Sequence, residues 1–318
     1  MKKQRMRSKL SWALPLIMIF VAVTMVAMMK DGFGSSAESE PVVADDKSNY
    51  AVFPVTIPAE LSFAGEEVPL QYFDVREALD RELVSNTYFH SQSIRHIKLS
   101  KRYFPQIEPI LEEHGIPDDF KYLAIAESGL TNAVSPAGAT GFWQLAKGTA
   151  MDYGLEVNTE VDERYHLEKS TQVACKYLQE SYEKYGNWTM SAASYNAGRR
   201  GMDRQIEKQK QDNYYDLLLN EETSRYVFRV LAFKLILEDP SAYGFKLSTM
   251  DLYKEIPYEI VEISTGVPDF ADFAAEHNTN YKMLKMLNPW LRERKLTNSK
   301  AKTYQVKIPL DRELTGNL

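Results

Sequence analysis

The sequence predicts a mainly helical body, with a small β-α-α-β unit at its C-terminal end and an apolar helix at its N-terminal end. Three patterns predict this. Apolar residues recur at helical spacing from about Val75 to Leu237. Beyond Pro240 the texture changes: Tyr258 to Ile263 and Tyr304 to Pro309 alternate like strands, and two short helical segments lie between them. Near the start, Trp12 to Met29 is a run without a charged residue.

That run is close to the ~18 apolar residues that mark a bilayer span. Lys2, Lys3, Arg5, Arg7 and Lys9 precede it, which predicts an N-terminus held in the cytoplasm and a body exported across the inner membrane. A signal peptide is the rival reading, with Ser35-Ser36-Ala37 as a small-residue cleavage site. The length of the run favours a retained anchor. The net charge of −6 is unevenly spread: residues 1–30 hold six basic side chains and no acid, leaving 32 basic against 44 acidic residues beyond them. An acidic body argues against a nucleic-acid partner, which needs a basic face. It fits a neutral or weakly charged ligand held by hydrogen bonds and aromatic rings. The single cysteine, Cys175, allows no intrachain disulfide, and no cysteine near the anchor could carry a lipid. Composition divides the chain into an anchor or signal (1–30), a Ser/Glu/Asp/Ala-rich tether (31–70), a helical body (71–245) and the C-terminal unit (255–312).

Within the body, Ile94, Ile97, Tyr103, Phe104, Ile107 and Leu111 lead to a stop at Gly115. Tyr88-Phe89-His90 reads as core packing. His90, His96 and His114 lack metal-ligand spacing and read as surface or capping residues. Pro117-Asp118-Asp119 is a helix start, with proline in the first turn and acids at the positive end of the dipole. In that helix Phe120, Leu123, Ala124 and Glu127 share one face. Burial, and the negative end of the dipole, predict a raised Glu127 pKa, as a general acid near neutrality requires. A buried glutamate paired with an arginine or an amide is the bland alternative. Asn132 to Gly141 is a loop for tight turns and close backbone approach. Thr149 to Tyr153 reads as a short helix, Asp162-Glu163-Arg164-Tyr165 as an ion-paired turn. Ser170–Tyr185, Trp188–Asn196 and Thr223–Leu237 read as further helices.

Four motifs in order carry a resemblance: Glu127-Ser128 within AESGL, Ser135 to Gln144 (SPAGATGFWQ), Ser194 to Gly198 (SYNAG), and Glu221 to Val227 (EETSRYV). Together, from about Leu83 to Asp239, they resemble the lytic transglycosylases with a goose-lysozyme-like catalytic domain. The resemblance implies a lysozyme-like fold, peptidoglycan glycan strands as substrate, a 1,6-anhydromuramoyl product and no cofactor or metal. It implies Glu127 as the lone catalytic acid/base, with Ser135, Gln144, Tyr195 and Asn196 binding substrate, Asn196 in a more structural role. Ala146-Lys147 and the late Gly201 depart from the family pattern without touching Glu127. The C-terminal unit resembles a LysM module through Leu287-Asn288-Pro289 and Ile308-Pro309, with Thr265-Gly266 in place of the usual opening. It is either a glycan binder or a packing domain. Two other functions stay open: a goose-type hydrolase using the same glutamate, and a catalytically silent wall-binding protein.

Overall fold

The computed structural model describes residues 52–310, so the expected N-terminal membrane helix lies outside the described residues. Among the described residues no helix is long and apolar enough to cross a membrane. The described chain from Pro54 on is one compact unit. It opens with a hairpin, β1 (Ser62–Phe63) and β2 (Glu66–Glu67), followed by eight helices: α1 (Phe73–Tyr88), α2 (His90–Glu113), α3 (Lys121–Ser128), α4 (Lys147–Asp152), α5 (Leu167–Tyr185), α6 (Trp188–Ala197), α7 (Arg199–Gln209) and α8 (Glu221–Glu238). The C-terminal unit is β3 (Tyr258–Ile263), α9 (Phe270–Glu276), α10 (Tyr281–Leu287) and β4 (Tyr304–Pro309), with β3 and β4 antiparallel and in register from Tyr258–Pro309 to Ile263–Tyr304.

Helix α8 is the axis of the body. It packs against α1, α3 and α6, and Tyr226, Val227, Val230, Leu231, Ala232 and Ile236 are essentially fully buried. Apolar residues surround it because neighbours lie on several sides, the mark of a central rather than a surface helix. Asn220 caps its first turn by accepting from the Thr223 amide at 2.9 Å.

Several expectations need correcting. The tether does not reach residue 70: Leu61, Phe63, Val68 and Leu70 are buried in the core. The hairpin turns at Ala64 and Gly65, both at positive φ. Its Glu66 carboxylate accepts from the Thr189 amide and hydroxyl at 2.9 and 2.7 Å, placing a negative charge at the N-terminus of α6. Short polar segments between hydrophobic pairs look like tether in sequence, but the pairs are what bind. Phe89 is 58% exposed rather than core, because it sits at the break between α1 and α2. His96 is buried, not superficial, edge-on to Phe233 at 5.3 Å. Burial and Arg95 lower its pKa to about 4, so it packs as a neutral ring. Helix α7 follows Gly198 directly, in a stretch that periodicity left unassigned.

The C-terminal unit has its own core around Phe270, Leu284, Trp290 and Val306. Val161 of the body completes that core. The segment 156–168 is the seam: Val161 bridges to Leu291, the Asp162 amide donates to the Trp290 carbonyl at 2.9 Å, and Glu160 accepts from the amide and hydroxyl of Thr297 at 2.7 Å each.

Candidate active site

Helix α3 is short because both ends are set by local chemistry. A 3-10 turn at Asp118–Phe120 leads in, and Gly129 ends it in the left-handed region at φ 61°. A side chain at Gly129 would lie 2.9 Å from the His96 ring, so the helix end is also held by close packing. Glu127 therefore falls in the last turn, half-buried.

The Glu127 carboxylate accepts a 2.5 Å hydrogen bond from the Tyr226 hydroxyl of α8. Burial raises its pKa from about 4.5 to about 7. The Tyr226 bond and the Arg229 charge oppose that shift, while Glu222 adds to it. Arg229 cannot cancel it because its guanidinium is engaged with Glu222 at 3.1 Å and Glu82 at 3.8 Å. The Tyr226 phenol is itself pushed well above its ordinary value, by burial first and by Glu127 second. It stays a neutral donor. The site thus holds a carboxyl group whose raised pKa lets it keep a proton near neutrality.

Beyond Glu127 the chain is tied down at each step. Ser128 donates to the Phe142 carbonyl at 2.9 Å, joining the helix end to the far side of the loop. Ser135 accepts from the Ala139 amide at 3.0 Å and folds the loop tip into a turn. Gln144, at φ 46°, donates from its amide to the carbonyls of Ala133 and Gly141 at 3.0 and 2.9 Å. Gly141 has no alternative: a Cβ there would meet the Arg164 carbonyl at 2.1 Å. Arg164 is gripped by Asp162 through Nε at 2.9 Å and a terminal nitrogen at 2.7 Å, and donates to the Gly138 carbonyl at 2.9 Å. The expected ion-paired turn is therefore the brace of the glycine-rich loop.

The Tyr195 hydroxyl donates to the Trp143 carbonyl at 2.7 Å. The hydrogen bond to the Glu127 carboxylate comes from Tyr226, not from Tyr195. Tyr195 still lies close enough for Glu127 to raise its pKa, after the larger effect of burial. Asn196 accepts from the Thr223 hydroxyl at 2.9 Å, fastening α6 to α8. Tyr226 is the site residue that spacing missed. It stood inside the fourth motif, but periodicity assigns it to the buried side of α8, where a phenol reads as core. Among the described residues no group of three His, Cys, Asp or Glu side chains could hold a metal ion.

Comparison with known proteins finds similarity in two stretches of the chain. Residues 107–218 match the family described as the transglycosylase SLT domain, and residues 259–312 match the soluble lytic transglycosylase C-terminal LysM-like domain. The chain carries these two domains in tandem. It is 28% identical over 199 residues to membrane-bound lytic murein transglycosylase D of Escherichia coli K12, and equally similar to that of the O6:H1 strain. The alignment covers 60% of this chain and 43% of each relative, so the chain matches less than half the length of these curated relatives. The Tyr226 contact lies beyond the 107–218 match.

Proposed function

We propose that the protein is a peptidoglycan lytic transglycosylase that cleaves the β-1,4 bond between N-acetylmuramic acid and N-acetylglucosamine and leaves a 1,6-anhydromuramoyl end. The observation that carries this reading is Glu127: a carboxyl group on a half-buried residue, raised to about 7 by burial and hydrogen-bonded by a neutral phenol. The SLT match supports the reaction class.

The chemistry needs one carboxyl group. Most glycosidases use two, but substrate-assisted enzymes do not. Protonated Glu127 gives its proton to the leaving glycosidic oxygen as the C1–O bond breaks. The acetamido oxygen of the muramic acid takes up the bond to C1. The Glu127 carboxylate then removes the proton from the C6 hydroxyl, O6 attacks C1, and the acetamido oxygen leaves. Glu127 ends protonated, as it began, and no water is consumed. Tyr226 supports both states, since a phenol donates to a carboxylate and to the carbonyl oxygen of a carboxylic acid alike. Ser135 and Gln144 keep a hydroxyl proton and an amide oxygen for the sugar while their other atoms hold the loop. Tyr195 and Asn196 act mainly by position, fixing the Trp143 backbone and the α6–α8 junction. The N-terminal apolar run would anchor the body at the inner membrane, facing the wall in the cell envelope.

Digestion of purified murein sacculi tests this. Mass spectrometry of the released muropeptides should show ends one water lighter than a reducing sugar. Reducing ends alone would make the enzyme a hydrolase on the same bond, and no release would leave a wall-binding protein.

A further inference from the structure

A cleft runs between α2 and the C-terminal unit. Tyr103, Asn132 and Phe142 form one wall, and Tyr258, Trp290 and Lys307 form the other. Glu127 is not among the residues that line it. Phe142 connects the two, since its ring lines the cleft and its carbonyl accepts from Ser128, the neighbour of Glu127.

Two of the rings that line the cleft, Tyr165 and Tyr258, carry a cation over one face. Arg292 sits 4.0 Å above the centre of the Tyr165 ring in the cleft, Lys307 4.4 Å above Tyr258, and Arg102 5.2 Å above Tyr253 at the margin. Lys307 is matched by Glu168, which also faces His166 at 3.2 Å. The two arginines are different. Arg102 donates to the Lys254 carbonyl at 2.9 Å and Arg292 to the Pro289 carbonyl at 2.7 Å. Among the described residues neither guanidinium has a carboxylate within 4.0 Å. In a body with 12 more acidic than basic residues, Arg102 lines the cleft without a carboxylate partner and Arg292 stands, also without one, over the lining residue Tyr165. Each is pre-positioned on a ring and a carbonyl, with donors left over. A guanidinium fork fits a carboxylate in two-point contact.

We propose that this cleft binds the free carboxylates of the peptide stem that muramic acid carries on its lactyl group. The inference rests on the peptidoglycan reading of the Glu127 site. The link on which the stem would pass from the Glu127 site to the cleft is the Ser128–Phe142 contact, between the neighbour of Glu127 and a residue of the cleft. The C-terminal unit then completes a stem-binding wall, which assigns it a ligand other than the sugar chain.

The test uses the full chain carrying Glu127→Gln, so that bound strands stay intact. The probes are uncrosslinked glycan strands with their stems, and the same strands after an amidase has removed the stems and the lactyl carboxylates so exposed have been capped as methyl amides. Adding Arg102→Ala and Arg292→Ala together should weaken binding of stem-bearing strands by about tenfold, the scale of one lost charged contact. Binding of stem-free strands and the melting temperature should stay unchanged. Lysine at both positions should recover only part of the loss, since it keeps the charge and loses the fork. Equal loss on both probes, or no loss on either, overturns the proposal. If the double variant is unfolded, Arg102→Gln alone on the same two probes decides between these outcomes. Failure of the Glu127→Gln protein to bind either strand would instead count against the peptidoglycan reading itself.

Discussion

Two glutamates face α8, and the helix treats them differently. Glu82 of α1 is 1% exposed and meets Arg225 at 2.6 Å, Arg81 at 3.5 Å and Arg229 at 3.8 Å. Glu127 of α3 is less enclosed, yet α8 offers its carboxylate only the Tyr226 hydroxyl. Arg225, Tyr226 and Arg229 lie within about one turn of the same helix, so the choice of partner is made by helical phase alone. A carboxylate matched by guanidiniums forms a structural ion pair. A carboxylate given a phenol has its hydrogen bond satisfied and its charge unmatched, so burial decides its protonation. Enclosure by itself therefore does not mark a reactive acid; the missing counter-charge does.

Glu127→Gln should break the contrast most severely. The amide keeps the shape and cannot donate a proton, so turnover on sacculi should fall by at least ~10²–10⁴-fold, the contribution of general acid–base catalysis. The same protein should show the cost of charging the site. A raised carboxyl pKa means that the stability Glu127 contributes is full below about 4.5 and is lost as pH rises through about 7. The melting temperature of Glu127→Gln should therefore gain on that of the parent across that window. A constant difference from pH 4 to pH 8 would contradict the burial argument.

Tyr226→Phe comes next. It removes the donor and almost no volume, and the rate should drop about tenfold, as for loss of one hydrogen bond to a charged group. Because the Tyr226 bond lowers the Glu127 pKa, its removal should move the alkaline fall of the pH–rate profile to higher pH. An unmoved profile with a lower melting temperature would make Tyr226 a core residue only.

The smallest effect on turnover belongs to Glu82→Gln. Activity should stay within a few-fold of the parent, while stability falls by about 1–3 kcal/mol because a buried network loses its acceptor charge. The arginines around it keep an exposed edge, with 28% and 22% of the Arg225 and Arg229 side chains accessible, which limits the loss. A hundredfold loss of rate with intact stability would erase the distinction between the two glutamates.

How far the sequence could be read follows the same division. Glu127 was legible because its position at i+7 from Phe120 put a charge on an apolar face. The β-α-α-β order was legible because alternation and helical spacing differ in period. Tyr226 was not, since a buried tyrosine on a central helix has no signal that separates core from site until its partner is known. Arg164 was legible as an ion pair with Asp162, but not as the brace beneath Gly141, because that contact joins residues 23 apart through a backbone carbonyl. Residues 61–70 read as tether because composition reports polarity. Their few apolar side chains are nonetheless buried in the body.

On the proposed mechanism, Glu127 holds its proton near neutrality because burial outweighs the Tyr226 hydrogen bond and the Arg229 charge. Titration of the protein with ¹³C-labelled glutamate carboxyl groups, followed by NMR, measures this directly, with the Glu127 resonance assigned as the one absent from Glu127→Gln. The midpoint should fall at about 7. A midpoint near the ordinary 4.5 would mean that Glu127 is ionised at neutral pH, and the single-acid mechanism would lose its proton donor.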